Sequence, residues 1–162
     1  MLRLTLLRHA QAVALGCACT VRDAQRPLND AGRTAIGEVA RRLAGDERTC
    51  PRVIASPALR TVETARTVLA AFGLPANSLA TVEALYEGTV ATLLEVVQSQ
   101  PPGIGHLLLC AHNPGISGLA SYLAEETLPR STLPPGSLVT MGFATDTWSS
   151  VERATGHVIR VW

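Results

Sequence analysis

The fold is decided at the start of the chain, where residues 2–9 are Leu-Arg-Leu-Thr-Leu-Leu-Arg-His. The run is apolar apart from Arg3 and Thr5, and it stops at Arg8 and His9. A short apolar run bounded by polar residues is typical of a buried β-strand. The sequence therefore predicts a first strand over residues 2–7, with an arginine and a histidine at its end.

The same arrangement, a strand followed by polar residues, occurs twice more. Residues 52–55 and 106–111 are short and mainly apolar. The first is followed by Ser56-Pro57, which predicts a helix start with the serine as cap and the proline in the first turn. The second is followed by His112-Asn113-Pro114, which predicts another strand-to-helix turn. Three strands are thus expected to end in residues suited to binding or catalysis.

Helical and strand periodicities alternate along the whole chain. No internal repeat or linker divides the 162 residues, so we expect a single domain spanning 1–162. Strands that alternate with helices favour an α/β fold, a three-layer sandwich with a mostly parallel central sheet and helices on both faces. The predicted helices span residues 30–43, 56–73, 89–98 and 114–124, a short strand or extended loop spans 79–85, and the last strands span 138–143 and 157–161.

This layout predicts where a functional site lies. Ligands of open α/β sheets bind outside the carboxyl ends of the strands, and helix N-termini at that edge favour anions. Arg8 with His9, Arg60 one turn into the second helix, and His112 are all expected at this edge. The other two histidines, at positions 106 and 157, start predicted strands, and we expect them to be structural or exposed.

The chemistry that suits these residues is phosphoryl transfer through a covalent intermediate. A neutral imidazole is a good nucleophile near neutral pH, so His9 is the candidate nucleophile. Arg8, Arg60 and a protonated His112 are the candidate donors that bind the phosphate. We expect no metal and no cofactor, because these side chains supply the positive charge and the sequence has no H-E-x-x-H, P-loop or G-x-G-x-x-G motif.

Composition excludes several other classes of protein. A net charge of +1 argues against nucleic-acid binding. No apolar run approaches the roughly 18 residues of a membrane span, and residues 1–7 are too short for a signal peptide, so we expect a cytoplasmic protein without a membrane partner. Cys17 and Cys19 have poor spacing for zinc, and we expect free thiols at these positions and at Cys50 and Cys110.

Four segments together resemble motifs of the histidine phosphatase superfamily. They are the R-H-G-like segment over 6–12, R-P-L-N-D-A-G over 26–32, S-P-A-L-R-T-V-E-T-A over 56–65 and A-H-N-P-G over 111–115. The resemblance implies a phosphoglycerate mutase-like fold, with His9 as phospho-acceptor and Arg8, Arg60 and His112 as the phosphate pocket. The compact length and Leu85-Tyr86 are similar to the SixA-type phosphohistidine phosphatases. That branch implies a phosphorylated protein, such as a histidine phosphotransfer domain, as partner and substrate.

Two positions depart from the superfamily pattern. Ala10 replaces the usual glycine of R-H-G, which would strain the backbone if that position needs a positive φ. We expect the alanine to be tolerated. The general acid is the second departure: Glu83, in an E-x-x-Y segment, is a candidate, Glu87 lies nearby, and either is compatible with an ordinary surface role.

Four alternatives stay open from the sequence. The first is a phosphatase of small phosphate esters, such as a sugar phosphate or a nucleotide, which an essential Glu83 and an enclosed pocket would favour. A mutase fits less well, because little sequence is left to cover the pocket. The alternative from another class is a non-catalytic phosphate-binding protein, which the presence of both histidines and both arginines disfavours. A metal-binding module fits least.

Overall fold

The computed structural model describes residues 1–16, 22–47 and 50–162, which form one six-stranded sheet with four α-helices. The expectations for Cys17 and Cys19 fall outside this part of the chain. The strands are β1 (Leu2–Arg8), β2 (Arg52–Ala55), β3 (Ala80–Thr81), β4 (His106–Ala111), β5 (Leu138–Phe143) and β6 (Gly156–Val161). The helices are α1 (Asp30–Asp46), α2 (Leu59–Ala71), α3 (Val90–Gln98) and α4 (Gly115–Leu123).

The sheet has the strand order β3-β2-β4-β1-β5-β6. β1, β2, β3 and β4 pair in parallel, whereas β5 is antiparallel to both β1 and β6. Five of the six strands therefore run in the same direction, which confirms the predicted mostly parallel sheet. β1 and β4 lie at the centre, with Leu7 paired to Cys110 and Arg8 to Ala111.

Helices cover both faces of the sheet, as predicted. Alternate side chains of a strand point to opposite faces, and β4 shows this directly: Leu107 and Leu109 enter one core cluster, and Leu108 and Cys110 enter the other. The first cluster contains the apolar residues of α3 and α4, and the second those of α1 and α2. Every residue of β4 is buried, as expected for a central parallel strand.

The helix starts explain most of the predicted boundaries. Asn29 caps α1, because its side chain accepts a hydrogen bond from the Gly32 amide at 2.8 Å. Gly32 must be glycine, since a Cβ there would lie 2.1 Å from the carbonyl oxygen of Gln11. The predicted capping role of Ser56 is wrong: α2 begins at Leu59, and the Ser56 hydroxyl instead faces a histidine of the candidate site.

The segment over residues 79–85 is less regular than the strand considered from the sequence. Only Ala80 and Thr81 form a strand, parallel to β2, and a 3₁₀ turn follows over Glu83–Leu85. Leu85 is fully buried in that turn, so it fixes the path of the chain toward Tyr86. Within the described ranges no helix is both long and apolar enough to cross a membrane.

A charge cluster around the buried Glu47 and His106 lies at the amino-terminal edge of the sheet. We call it the amino-edge cluster and define it as Arg3, Glu47, His106 and Arg160. Glu47 accepts hydrogen bonds from Arg3 and from Arg160, both at 2.8 Å. His106 is buried, with Nδ1 3.8 Å from the same carboxylate. The fourth histidine, His157, is exposed on β6.

Candidate active site

The structure brings three of the predicted site residues together at the carboxyl end of the sheet. His9 follows β1, His112 follows β4, and Arg60 lies in the first turn of α2 beside the end of β2. The ring centroids of His9 and His112 are 5.2 Å apart, and Nη2 of Arg60 lies 3.2 Å from Nδ1 of His112. The three segments meet because parallel strands end at the same edge of a sheet.

His9 is oriented by the backbone of its neighbour. Its Nδ1 lies 2.8 Å from the carbonyl oxygen of Ala10, and a carbonyl can only accept, so Nδ1 carries the hydrogen. The other nitrogen, Nε2, is therefore unprotonated in the neutral ring and has no hydrogen-bond partner among the described residues. A histidine held in one tautomer with the second nitrogen open is arranged as a nucleophile.

Burial keeps His9 neutral. Burial lowers the pKa of His9 to about 4, and the positive charges of Arg60, Arg8 and Arg26 add to this effect against the opposing hydrogen bond to Ala10. A charged imidazolium has no lone pair on Nε2 for attack on phosphorus. The lowered pKa therefore keeps the candidate nucleophile competent well below neutral pH.

His112 is also neutral in this arrangement. A guanidinium can only donate, so Nδ1 of His112 accepts from Arg60, and Nε2–H donates to Oγ of Ser56 at 2.8 Å. Burial, followed by the charge of Arg60, lowers the pKa of His112 to about 3. The protonated form predicted beside a phosphate would have to release Nδ1 from Arg60.

Arg8 supplies a second cation close to both histidines. Its Nη1 donates to the carbonyl oxygen of Leu133 at 2.8 Å, and Asn113 donates to the same oxygen at 3.1 Å. Burial lowers the pKa of Arg8, although an arginine stays protonated. Its Nε–H is buried and has no hydrogen-bond partner in the described part of the chain. Because an unpaired buried donor of a charged group is costly, this N–H is a candidate contact for an anion.

Asp23, which the sequence interpretation missed, holds Arg60 in place. Arg60 donates to the backbone oxygen and to Oδ2 of Asp23, both at 2.8 Å. Arg26 donates to Oδ1 at 2.8 Å, and the Tyr86 hydroxyl donates to Oδ2 at 3.1 Å. Partial burial would raise the pKa of Asp23, but the hydrogen bonds from Arg26 and Arg60 outweigh it and lower the pKa to about 2. The carboxylate is therefore ionised at neutral pH.

One sequence signal points toward Asp23. The residue lies three positions before Arg26, within reach of the arginine that begins the R-P-L segment. The sequence indicates Tyr86 only as part of the Leu85-Tyr86 motif. Its contact with Asp23 joins residues 63 positions apart, which no local pattern encodes.

The predicted general acid, Glu83, makes no hydrogen bond to the site residues that the structure describes. The Glu83 side chain is exposed and makes no hydrogen bond or ion pair with any described residue, and the same holds for Glu87. The 3₁₀ turn directs Leu85 into the core and Tyr86 toward Asp23, which leaves Glu83 on the outside. The carboxylate that contacts the site's arginine is Asp23, and the role of Glu83 as general acid stays a prediction.

Ala10 is accommodated without backbone strain. The positive φ values at described non-glycine residues occur only at Glu87 and Ala154. Ala10 is buried, and its N–H donates to Oγ1 of Thr64 at 3.1 Å. The left-handed turn beside the site is supplied by Gly136, with φ +79°, whose N–H lies within 3.2 Å of the carbonyl oxygens of both residues that precede Ala10.

Solved structures share the fold over nearly the whole chain. A protein from Nakamurella multipartitia assigned as the phosphohistidine phosphatase SixA has a TM-score of 0.80 and 24% identity, covering 99% of this chain and 95% of that chain. An Agrobacterium tumefaciens protein of the same assignment has a TM-score of 0.81 and 23% identity, covering 99% and 97%. A mycobacterial glucosyl-3-phosphoglycerate phosphatase has a TM-score of 0.66 and 15% identity, covering 99% and 97%.

Family membership follows from the sequence itself. No curated protein matches the chain significantly. The family model of the histidine phosphatase superfamily (branch 1) matches residues 4–90, which is more than half of the chain. The matched range contains Arg8, His9 and Arg60, and the first three of the four motifs identified in the sequence. The chain belongs to the histidine phosphatase superfamily, as its motifs predicted.

Proposed function

We propose that this protein is a phosphatase that forms a covalent phosphohistidine intermediate on His9 and that its substrate is phosphohistidine on another protein. The proposal rests on one observation above all. The Nδ1–H of His9 is held by the Ala10 carbonyl, so Nε2 is unprotonated and open beside Arg8, Arg60 and His112. A nucleophile surrounded by cationic donors is the arrangement that phosphoryl transfer requires.

The reaction has two displacement steps. Nε2 of His9 first attacks phosphorus, a P–N bond forms, and the bond to the leaving group breaks with its electron pair going to the leaving atom. Water then attacks the phosphorus, the electron pair of the P–N bond returns to Nε2, and the water proton passes to the phosphate product or to solvent. In both steps Arg8 and Arg60 donate hydrogen bonds to the equatorial oxygens of the phosphoryl group, where negative charge accumulates.

Phosphohistidine is favoured over an ester as the substrate because the exposed Glu83 side chain makes no hydrogen bond or ion pair with any described residue of the site. An ester must expel an alkoxide, which a general acid has to protonate. A phosphohistidine whose ring is protonated expels a neutral imidazole, so no acid is needed. Asp23 cannot serve as that acid at neutral pH, because its pKa is lowered to about 2. The SixA assignment of two structural relatives is consistent with this choice.

The test measures phosphate release from a phosphorylated histidine phosphotransfer domain and from a panel of small phosphate esters. We expect a higher kcat/KM for phosphohistidine and a loss of at least roughly 10³-fold in His9→Ala, because the variant lacks the nucleophile. The matched control is His157→Ala, which removes an exposed histidine outside the site.

Two results would contradict the proposal in different ways. Faster turnover of a sugar phosphate or nucleotide would identify a phosphatase of small esters. Phosphate binding without turnover of any substrate would identify a non-catalytic phosphate-binding protein.

A further inference from the structure

Among the residues that the structure describes, one carboxylate contacts the candidate active site, and nucleophilic attack by His9 does not explain its function. Asp23 contacts Arg60, and its side chain is about one-third exposed (35%), so it lies at the solvent-accessible rim of the site. Its charge also acts on the ring of His112, where it opposes the lowering of the pKa. An anion beside a phosphate site is unfavourable for phosphate binding, so its presence calls for a physical reason.

We propose that Asp23 is a specificity-determining residue that selects phosphoramidates with a cationic leaving group, above all a protonated phosphohistidine ring. The inference rests on the proposed function. The Asp23 carboxylate would pair with the imidazolium of the substrate while Arg8 and Arg60 bind its phosphoryl oxygens. The site would then match a substrate that carries negative charge on the phosphoryl group and positive charge on the leaving group.

Asp23 has the hydrogen-bonding capacity for this role. Two ionised carboxylate oxygens offer about four lone-pair sites. Oδ1 accepts from Arg26, and Oδ2 accepts from Arg60 and Tyr86. Counting the donors in the described part of the chain, one further donor, such as the N–H of a substrate imidazolium, can therefore bind at Oδ1. The existing bonds fix the carboxylate in position before substrate arrives, which lowers the entropic cost of that contact.

The reaction remains balanced without any proton transfer to the leaving group. In a protonated phosphohistidine, one ring nitrogen bears phosphorus and the other bears hydrogen. When the P–N bond breaks, its electron pair returns to the ring, which leaves as neutral imidazole. His9 gains phosphorus at Nε2 and becomes the cation. Asp23 favours the protonated, reactive form of such a substrate and repels the oxyanion that an ester would expel.

A purely positional role for Asp23 makes a different prediction. Asp23 anchors Arg60 through two hydrogen bonds, so its loss would also disturb the phosphate contact. That disturbance would lower kcat/KM for every phosphorylated substrate by a similar factor. The ratio of kcat/KM between two classes of substrate therefore separates selectivity from positioning.

The test uses Asp23→Asn, which keeps the shape of the side chain and a carbonyl oxygen for Arg60 but removes the charge. Values of kcat/KM for phosphohistidine and for p-nitrophenyl phosphate are compared from pH 6 to 9. We expect kcat/KM for phosphohistidine, divided by kcat/KM for p-nitrophenyl phosphate, to fall roughly tenfold, which corresponds to about 1.4 kcal/mol. The alkaline limb for phosphohistidine should also move to lower pH, because the substrate ring loses the partner of its proton. Asp30→Asn, an exposed acid in the first turn of α1, is the matched control.

Each outcome decides between defined alternatives. If kcat/KM falls by the same factor for both substrates, or changes for neither, the selectivity role of Asp23 is overturned and the proposed function stays intact. A wild-type protein that releases no phosphate from phosphohistidine would overturn both. Tyr86→Phe removes one hydrogen-bond donor to Asp23 but keeps the charge of the Asp23 carboxylate, so it should leave the ratio of kcat/KM values within roughly threefold of wild type. A tenfold fall of that ratio in Tyr86→Phe would show that the effect does not depend on charge.

Discussion

The two ends of β4 carry two buried histidines with different roles. His106 begins the strand, and His112 follows its last residue. Burial lowers the pKa of both, and each is close to arginine and to a carboxylate. Burial, a lowered pKa and neighbouring arginines therefore do not by themselves distinguish a catalytic histidine from a structural one.

The charged groups of the amino-edge cluster are paired with one another. Glu47 uses its two carboxylate oxygens on Arg3 and Arg160, and His106 lies against the same group. The remaining nitrogen of His106, Nε2, is hydrogen-bonded to Oγ1 of Thr5 at 2.9 Å. Both ring nitrogens thus face a partner within the protein, which is the arrangement of a structural network.

At the carboxyl edge, by comparison, some polar groups have no partner among the described residues. Among the described residues its arginines outnumber its contacting carboxylates: the charges of Arg8, Arg26 and Arg60 all act on His9, whereas Asp23 is the one carboxylate that contacts them. Nε2 of His9 faces no partner in the described chain, and Nε–H of Arg8 is buried and unpaired. Surplus positive charge and an open ring nitrogen, rather than burial, are what mark this end of the sheet as the reactive one.

The strongest test of this contrast removes one arginine from each edge. Arg60→Ala should lower kcat/KM by roughly 10²–10³-fold, as expected when a donor to the transferring phosphoryl group is lost. Arg160→Ala should leave kcat/KM within roughly threefold but lower the free energy of unfolding by about 1–3 kcal/mol, because the buried Glu47 loses a partner. Steady-state kinetics and urea unfolding of both variants provide the measurement. The contrast is wrong if Arg160→Ala loses activity as strongly as Arg60→Ala.

The second prediction concerns the stability of the fold at acid pH. The pKa values of His9 and His112 are lowered to about 4 and about 3, and that of His106 is also lowered. Between the ordinary histidine value of about 6.5 and these values, the unfolded chain binds more protons than the folded one, so stability falls as pH falls. Thermal unfolding midpoints should therefore decrease steadily from pH 7 to pH 4.

The same experiment separates the two edges. His106→Gln should remove about one proton from the uptake on unfolding in this pH window, because a glutamine does not titrate. Kinetics at pH 7 should be unaffected, since the substitution lies at the amino edge. A pH dependence identical to that of wild type would show that His106 is not protonated on unfolding and that the amino-edge contribution is absent.

The sequence predicted the parts of this contrast that depend on local patterns. The bounds of β4 and β5 are those predicted, because short apolar runs between turn residues leave little ambiguity. His9, Arg60 and His112 were predicted as neighbours because strand ends meet at one edge. Asp23 could not be placed in the same way, since it contacts Arg60 across 37 positions of sequence and lies on a short 3₁₀ turn without periodicity.

Glu83 is the least consequential site prediction, and its substitution should have the smallest effect. Glu83→Gln should change kcat/KM for phosphohistidine by less than about twofold, because exposed side chains without partners contribute little. The comparison variant is Asp23→Asn, because the Asp23 carboxylate contacts Arg60 directly. A loss of tenfold or more in Glu83→Gln, confined to ester substrates, would mean that the segment over Glu83–Leu85 moves toward the site when substrate binds. Glu83 would then supply the leaving-group proton, and the selectivity assigned to Asp23 would have to be shared with it.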